Sequence, residues 1–182
     1  MKKLTFVRQV LVTLIAILPA TNIMAQEAIE MQGPTSLSET YDAWTVQCAN
    51  QQQGDRTQRI CQMMQELLQQ ETRQRVMTFA IGKTENGAKA TLILPFGLLL
   101  SEGFRVQVGE EEVLRGSYRT CLPAGCLAEI DLVEEMITKL GGAETATVTM
   151  TANNGQPVKT DISLEGFKAA YERLTGLAVT GK

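Results

Sequence analysis

The stretch TATVTMTANNGQPVKTDIS, residues 145–163, decides the fold class. Ala146, Val148 and Met150 alternate with threonines, Asn154-Gly155 suits a turn with positive φ, and Val158, Thr160 and Ile162 alternate on the return. Period-two alternation puts the apolar side chains on one face, so the segment reads as a hairpin of two half-buried strands. Similar signals extend upstream. Val76 to Ile81 and Ala88 to Leu94 flank Asn86-Gly87, while Phe104, Val106 and Val108 alternate with Arg105 and Gln107 before Gly109 leads to Val113 and Leu114. Nearer the start, Trp44, Val46 and Cys48 alternate with Thr45 and Gln47, which gives Trp44 and Cys48 a shared inward face. Short strands at this spacing, each with an apolar face to cover, predict a mostly β protein built as an antiparallel β-sandwich.

Two short helices interrupt the strands. Asp131 is the expected cap of the first, with Glu134 three residues on and an apolar stripe of Leu132, Val133, Met136, Ile137 and Leu140 before Gly141. Ser163 is the expected cap of the second, whose stripe is Leu164, Phe167, Tyr171 and Leu174 with Gly176 just beyond, and Gly166 then falls in the first turn. The glutamine-rich stretch from Gln51 to Gln70, which carries Met63, Met64, Leu67 and Leu68, is open between helix and strand. Its residue types favour helix, and its place between cysteine-bearing segments favours a strand pair, the reading adopted. Its glutamines read as a solvated face.

At the amino terminus, Lys2, Lys3 and Arg8 accompany an apolar run from Val10 to Leu18 broken by Thr13, and Ile23-Met24-Ala25 ends in a small residue. This is the plan of a signal peptide over residues 1–25, with Gln26 first after cleavage. The run is shorter than the roughly 20 apolar residues that cross a bilayer, and no integral span is expected after cleavage. Residues 26–40 read as a flexible lead-in, 41–176 as a single domain and 177–182 as a tail. Loss of the signal takes the formal charge from −3 to about −6, which disfavours a nucleic-acid partner. The run Glu110-Glu111-Glu112 reads as a solvated turn.

The chain has four cysteines and no histidine. In an oxidising compartment paired cysteines act as staples, and four allow three pairings. Proximity, together with Pro123 and Gly125 inside CLPAGC, favours Cys48 with Cys61 and Cys121 with Cys126. A Cys48–Cys121 link closes a longer loop and is not excluded on energetic grounds. Redox chemistry usually separates its cysteines by two residues rather than the four found in CLPAGC, and the wide spacing of Cys48 and Cys61 without histidine leaves no metal site to expect. The missing histidine removes the serine-histidine-aspartate triad and the histidine-ligated zinc hydrolases. No cofactor and no catalytic residue are assigned. Glu129, Asp131, Glu134 and Glu135 are the one set from which an acid and base pair for glycoside hydrolysis could be drawn, although attraction to a helix start explains their clustering more simply. Pro95, Phe96 and Gly97 before Leu98 to Leu100 form a candidate apolar patch, with core or edge-strand burial the expected fate of the leucines.

Several stretches then fall in a distinctive order: DAWTVQC at 42–48, Cys61, LPFGLLLSEGF at 94–104, YRTCLPAGCLAEI at 118–130 and SLEGFKAAYERL at 163–174. In order and spacing they resemble the invasion-associated locus B (IalB) family of exported alphaproteobacterial proteins. The resemblance implies an immunoglobulin-like β-sandwich in the periplasm or at the outer membrane and cell surface, associated in some members with entry into host cells. It offers no catalytic motif. The expectation is therefore a non-enzymatic envelope protein whose partner is an envelope or host-cell protein. The alternatives are a periplasmic housekeeping module and a carboxylate-dependent enzyme acting on envelope glycans.

Overall fold

The hairpin read at residues 145–163 forms in the computed structural model, which describes residues 36–180 apart from Asn86 and the side chains of Gln53, Arg56, Val179 and Thr180. The expected signal peptide and residues 26–35 lie outside the described residues. The larger sheet begins with five consecutive strands, β1 (Ser36–Tyr41), β2 (Trp44–Gln53), β3 (Arg56–Leu68), β4 (Arg75–Thr84) and β5 (Gly87–Leu94). The chain then makes a 3₁₀ turn at Leu100–Glu102 and crosses to the second sheet with β6 (Phe104–Val108) and β7 (Glu111–Gly116). It returns with β8 (Tyr118–Leu122) and β9 (Gly125–Leu132), runs through helix α1 (Glu134–Gly141), and ends with β10 (Thr145–Thr151), β11 (Pro157–Ser163) and helix α2 (Phe167–Thr180). The seven-stranded sheet has the order β1-β2-β3-β4-β5-β9-β8 and the four-stranded sheet β11-β10-β6-β7, with antiparallel pairing between neighbouring strands.

Alternation builds the core. Trp44, Val46 and Cys48, then Met77, Phe79 and Ile81, then Ala88, Ala90, Leu92 and Leu94 are buried from the long sheet. They meet Phe104, Val106, Leu114, Ala146, Val148, Met150 and Ile162 from the short one, and α2 adds Phe167, Ala170 and Leu174. Trp44 lies edge-on to both Phe79 and Phe167, at 5.7 and 5.1 Å between ring centroids, and its indole N–H donates to the Ser163 carbonyl at 3.0 Å. A large ring is thus buried with its one donor satisfied.

Local expectations failed where a distant partner sets the geometry. The glutamine stretch is indeed a strand pair, β2 with β3, yet Gln65 is buried rather than solvated. Residues 36–40, inside the segment expected as lead-in, belong to strand β1, because alternate residues Leu37, Glu39 and Tyr41 turn inward and Glu39 takes a forked ion pair from Arg173 on α2 at 2.7 and 2.8 Å. Asp131 does not cap α1. It is exposed within β9, 3.7 Å from Lys89, because pairing of Leu132 with Ala88 carries the strand past it. Val133 occupies the cap position without a side-chain bond. Ser163 likewise caps a turn instead of α2, its Oγ accepting from the Glu165 N–H at 3.2 Å. Gly166 precedes the helix at φ 79°, and a Cβ there would collide with the Tyr41 carbonyl, so the close approach of these two backbones requires glycine. Beyond Gly176 the helix continues to Thr180, into the expected tail.

Candidate functional site

The four cysteines form the two expected pairs. Cys48 stands directly opposite Cys61 across β2 and β3, and Cys121 opposite Cys126 across β8 and β9, and each pair is disulfide-bonded. No thiol is left free among the described residues, so these positions staple strands and offer no sulfur nucleophile.

The four acidic candidates do not converge. Glu129 accepts from Arg119 at 2.6 Å on the outer side of β9, and Asp131 faces Lys89. Glu134 and Glu135 sit in the first turn of α1, where Glu135 pairs with Lys139 at 2.8 Å. That bond holds the Glu135 carboxyl below its usual range. A glycosidase general acid needs the opposite shift, so that its proton is retained near neutrality.

A groove of about 670 Å³ separates α1 from α2. Its floor is Ile137, Phe167 and the Tyr171 ring, and Lys83 donates to the Tyr171 hydroxyl at 3.0 Å while lying 5.0 Å from the ring centroid. Glu134, Glu172 and Lys168 also line it, so the groove presents both signs of charge around an apolar floor.

A different surface gathers exposed apolar side chains. Phe96 is 60% exposed, Leu122 50%, Leu100 46% and Leu68 40%. Register brings Leu68, Leu122 and the start of the loop that carries Phe96 to one end of the long sheet: Leu68 pairs with Arg75 at the mouth of β3 and β4, Leu94 with Cys126 where β5 ends, and Leu122 with Gly125 at the β8–β9 turn. Arg75 donates to the Ala124 carbonyl at 2.7 Å and ties that turn to β4. The loop carrying Phe96 is held as firmly, since the Leu99 N–H donates to Thr151 and the Asn153 N–H to Gly97, both at 2.8 Å. Leu98 packs against the core as expected of the leucines, whereas Leu100 enters the 3₁₀ turn and stays exposed.

Residues 44–175, from the start of β2 into the middle of α2, match the family described as Invasion associated locus B (IalB) protein. The chain belongs to this family. Among its IalB-type relatives, an invasion protein B homolog of Brucella abortus (strain 2308) is 37% identical over 147 residues, covering 80% of this chain and 83% of the relative. Invasion protein B of Bartonella bacilliformis is 31% identical over 149 residues, covering 80% and 78%. The crystal structure of invasion associated protein b from Bartonella henselae superimposes with a TM-score of 0.72 at 27% identity, covering 80% of this chain and 99% of that one. The IalB match includes all four cysteines and the apolar end, and β1 lies upstream of it. Among the described residues of this IalB-family chain, no helix is long and apolar enough to cross a membrane.

Proposed function

We propose that this IalB-family chain is an exported, non-enzymatic envelope protein that acts by binding another protein through the end carrying Leu68, Phe96, Leu100 and Leu122. The observation that carries this reading is the exposure of four large apolar side chains on backbone that is itself hydrogen-bonded in place. Burying such a side chain is worth about 1.5–3 kcal/mol, and a fixed backbone keeps the ordering cost of contact low. The two disulfides support export, and the family name supports a role in invasion, with an envelope or host-cell protein as partner.

The test places a photo-crosslinking amino acid at Phe96 or Leu122 in the exported protein, with a control at Glu110 in the β6–β7 turn. Crosslinks to a discrete protein from the apolar end and none from the control are expected. Equal labelling from all three positions overturns the assignment. Protease digestion of intact cells then separates the compartments, because a surface protein is cut and a periplasmic one is protected.

A further inference from the structure

The outward face of the four-stranded sheet holds a row of cations assembled by register alone. Lys159 stands opposite Thr149, Thr149 opposite Arg105, and Arg105 opposite Arg115, across β11, β10, β6 and β7. Like charges directly opposite one another on paired strands repel, so the Arg105–Arg115 pair needs a compensating anion. Glu112 supplies part of one: Arg115 Nε and Nη2 fork onto it, each at 2.7 Å, and the charge of Arg105 also helps hold its carboxyl low. Arg105 and Lys159 have no ion pair among the described residues.

A second, independent observation lies beneath this row. Thr149 is on the outward face by parity, yet it is only 5% exposed, and its hydroxyl is buried with no hydrogen-bond partner among the described residues. Its neighbour Thr147, two residues away on the same face, donates to the Asp161 carboxylate at 2.6 Å. Leaving a buried hydroxyl unpaired is unfavourable, and such a group marks a place where a partner is missing. Thr149 also lines a depression of about 160 Å³ with Arg105, Arg115, Thr151 and Glu102. That volume is too small for a peptide or an oligosaccharide and suits one tetrahedral oxyanion.

We propose that Arg105, Arg115 and Thr149 form a binding site for a protonated phosphate group. The two guanidinium groups offer N–H donors to its oxygens, and the Thr149 hydroxyl gains the partner it lacks. Glu102 sets the choice of anion. A carboxylate on the rim repels a bare sulfate but accepts a hydrogen bond from a P–OH group. The same chemistry is presented by free phosphate and, in the singly protonated form that dominates below about pH 6, by a soluble sugar phosphate or a phosphorylated lipid headgroup.

The test is titration of the ¹⁵N-labelled mature protein at about pH 5.5, below the second phosphate pKa of about 6, followed by amide and arginine side-chain resonances, with sodium phosphate and with sodium sulfate at matched ionic strength. Saturable shifts confined to Arg105, Arg115, Thr149 and Thr151, and at least about tenfold weaker binding of sulfate, are expected. Arg105→Ala should weaken phosphate binding about tenfold while leaving the thermal midpoint in place, since its side chain is exposed. Thr149→Val, which keeps the shape and removes the unpaired hydroxyl, should keep or raise stability while weakening binding. A purely structural threonine would not move the binding curve. Equal response to both anions, or a phosphate response unchanged in Arg105→Ala, overturns the site. Glucose 6-phosphate in solution and phosphatidylcholine vesicles with and without phosphatidate then distinguish the sources, and binding of neither overturns a role in recognising either phosphate ester.

Discussion

Gln65 stands in a stretch so rich in glutamine that composition does not single it out, yet its amide joins the two sheets. Its Nε2 donates to the carbonyls of Ala43 and Ser163 at 3.2 and 2.9 Å, and its Oε1 accepts from the Ser163 N–H at 3.1 Å. Gln65→Leu preserves the volume and strands those backbone groups, so a loss of about 2–3 kcal/mol is expected in urea denaturation. Gln62→Leu on the exposed face should stay within about 0.5 kcal/mol. The signal for Gln65 was present as parity, because Cys61, Met63 and Gln65 share a strand face. Treating the glutamines as one solvated class hid it. Glu39 works at the same scale. The hydrogen bond from Arg173 holds its carboxyl below the usual range, against partial desolvation. A carboxyl depressed in the folded state contributes stability at pH above its ordinary value of 4.5, and that contribution is lost as pH falls through the lowered folded value. The stability difference between the wild type and Glu39→Gln should therefore be constant near neutrality and shrink below about pH 4.5. A difference that persists unchanged into acid would show that Glu39 acts through packing alone.

Strands β2 and β3 outrun their neighbours. Among the described residues β1 pairs with β2 as far as Ala49 and β4 pairs with β3 as far as Gln62, so no described strand lies beside the β2–β3 pair over residues 50–60. A strand pair without neighbours is marginal in water, and the Cys48–Cys61 bond closes this stretch at its base. Replacing both cysteines with alanine should cost about 3 kcal/mol in the loop-entropy account. Hydrogen exchange should quicken in residues 50–60 while the amides of β4 and β5 stay protected, and uniform loss of protection would contradict a local role for the bond. The elements legible in the sequence were those whose own residues impose the period, such as the β10–β11 and β6–β7 hairpins. Those set by a distant contact were not. The inward face of β1 meets Arg173 through Glu39, the entry to α2 depends on the approach of Gly166 to Tyr41, and the end of β9 on pairing with β5.

Seven strands facing four leave an overhang, and the helices resolve it. With neighbouring strands about 4.8 Å apart, three unmatched strands leave a gap about 14 Å wide, close to the 10–12 Å diameter of a helix with its side chains. Helix α2 fills that place, packing against β1, β2, β3 and β4 with Phe167, Ala170 and Leu174 fully buried. The surface sites were less legible than the fold for the same reason. Arg105, Arg115 and Lys159 become neighbours only through register, and Leu68, Phe96 and Leu122 only through strand ends meeting. The candidate patch at Pro95 to Leu100 pointed to part of the apolar end, since proline and glycine beside a phenylalanine imply a loop. One shared core beneath both sheets implies cooperative unfolding. Trp44, the chain's single tryptophan, reports on the overhang because it contacts Phe167, and far-ultraviolet circular dichroism reports on the whole. The two denaturation curves should coincide in the wild type. In Phe167→Ala, which opens a cavity beside the indole, both midpoints should fall together by an amount equivalent to about 3–5 kcal/mol. If fluorescence instead changes well before circular dichroism, the overhang unfolds on its own, and α2 is a removable cover over strands that hold together without it.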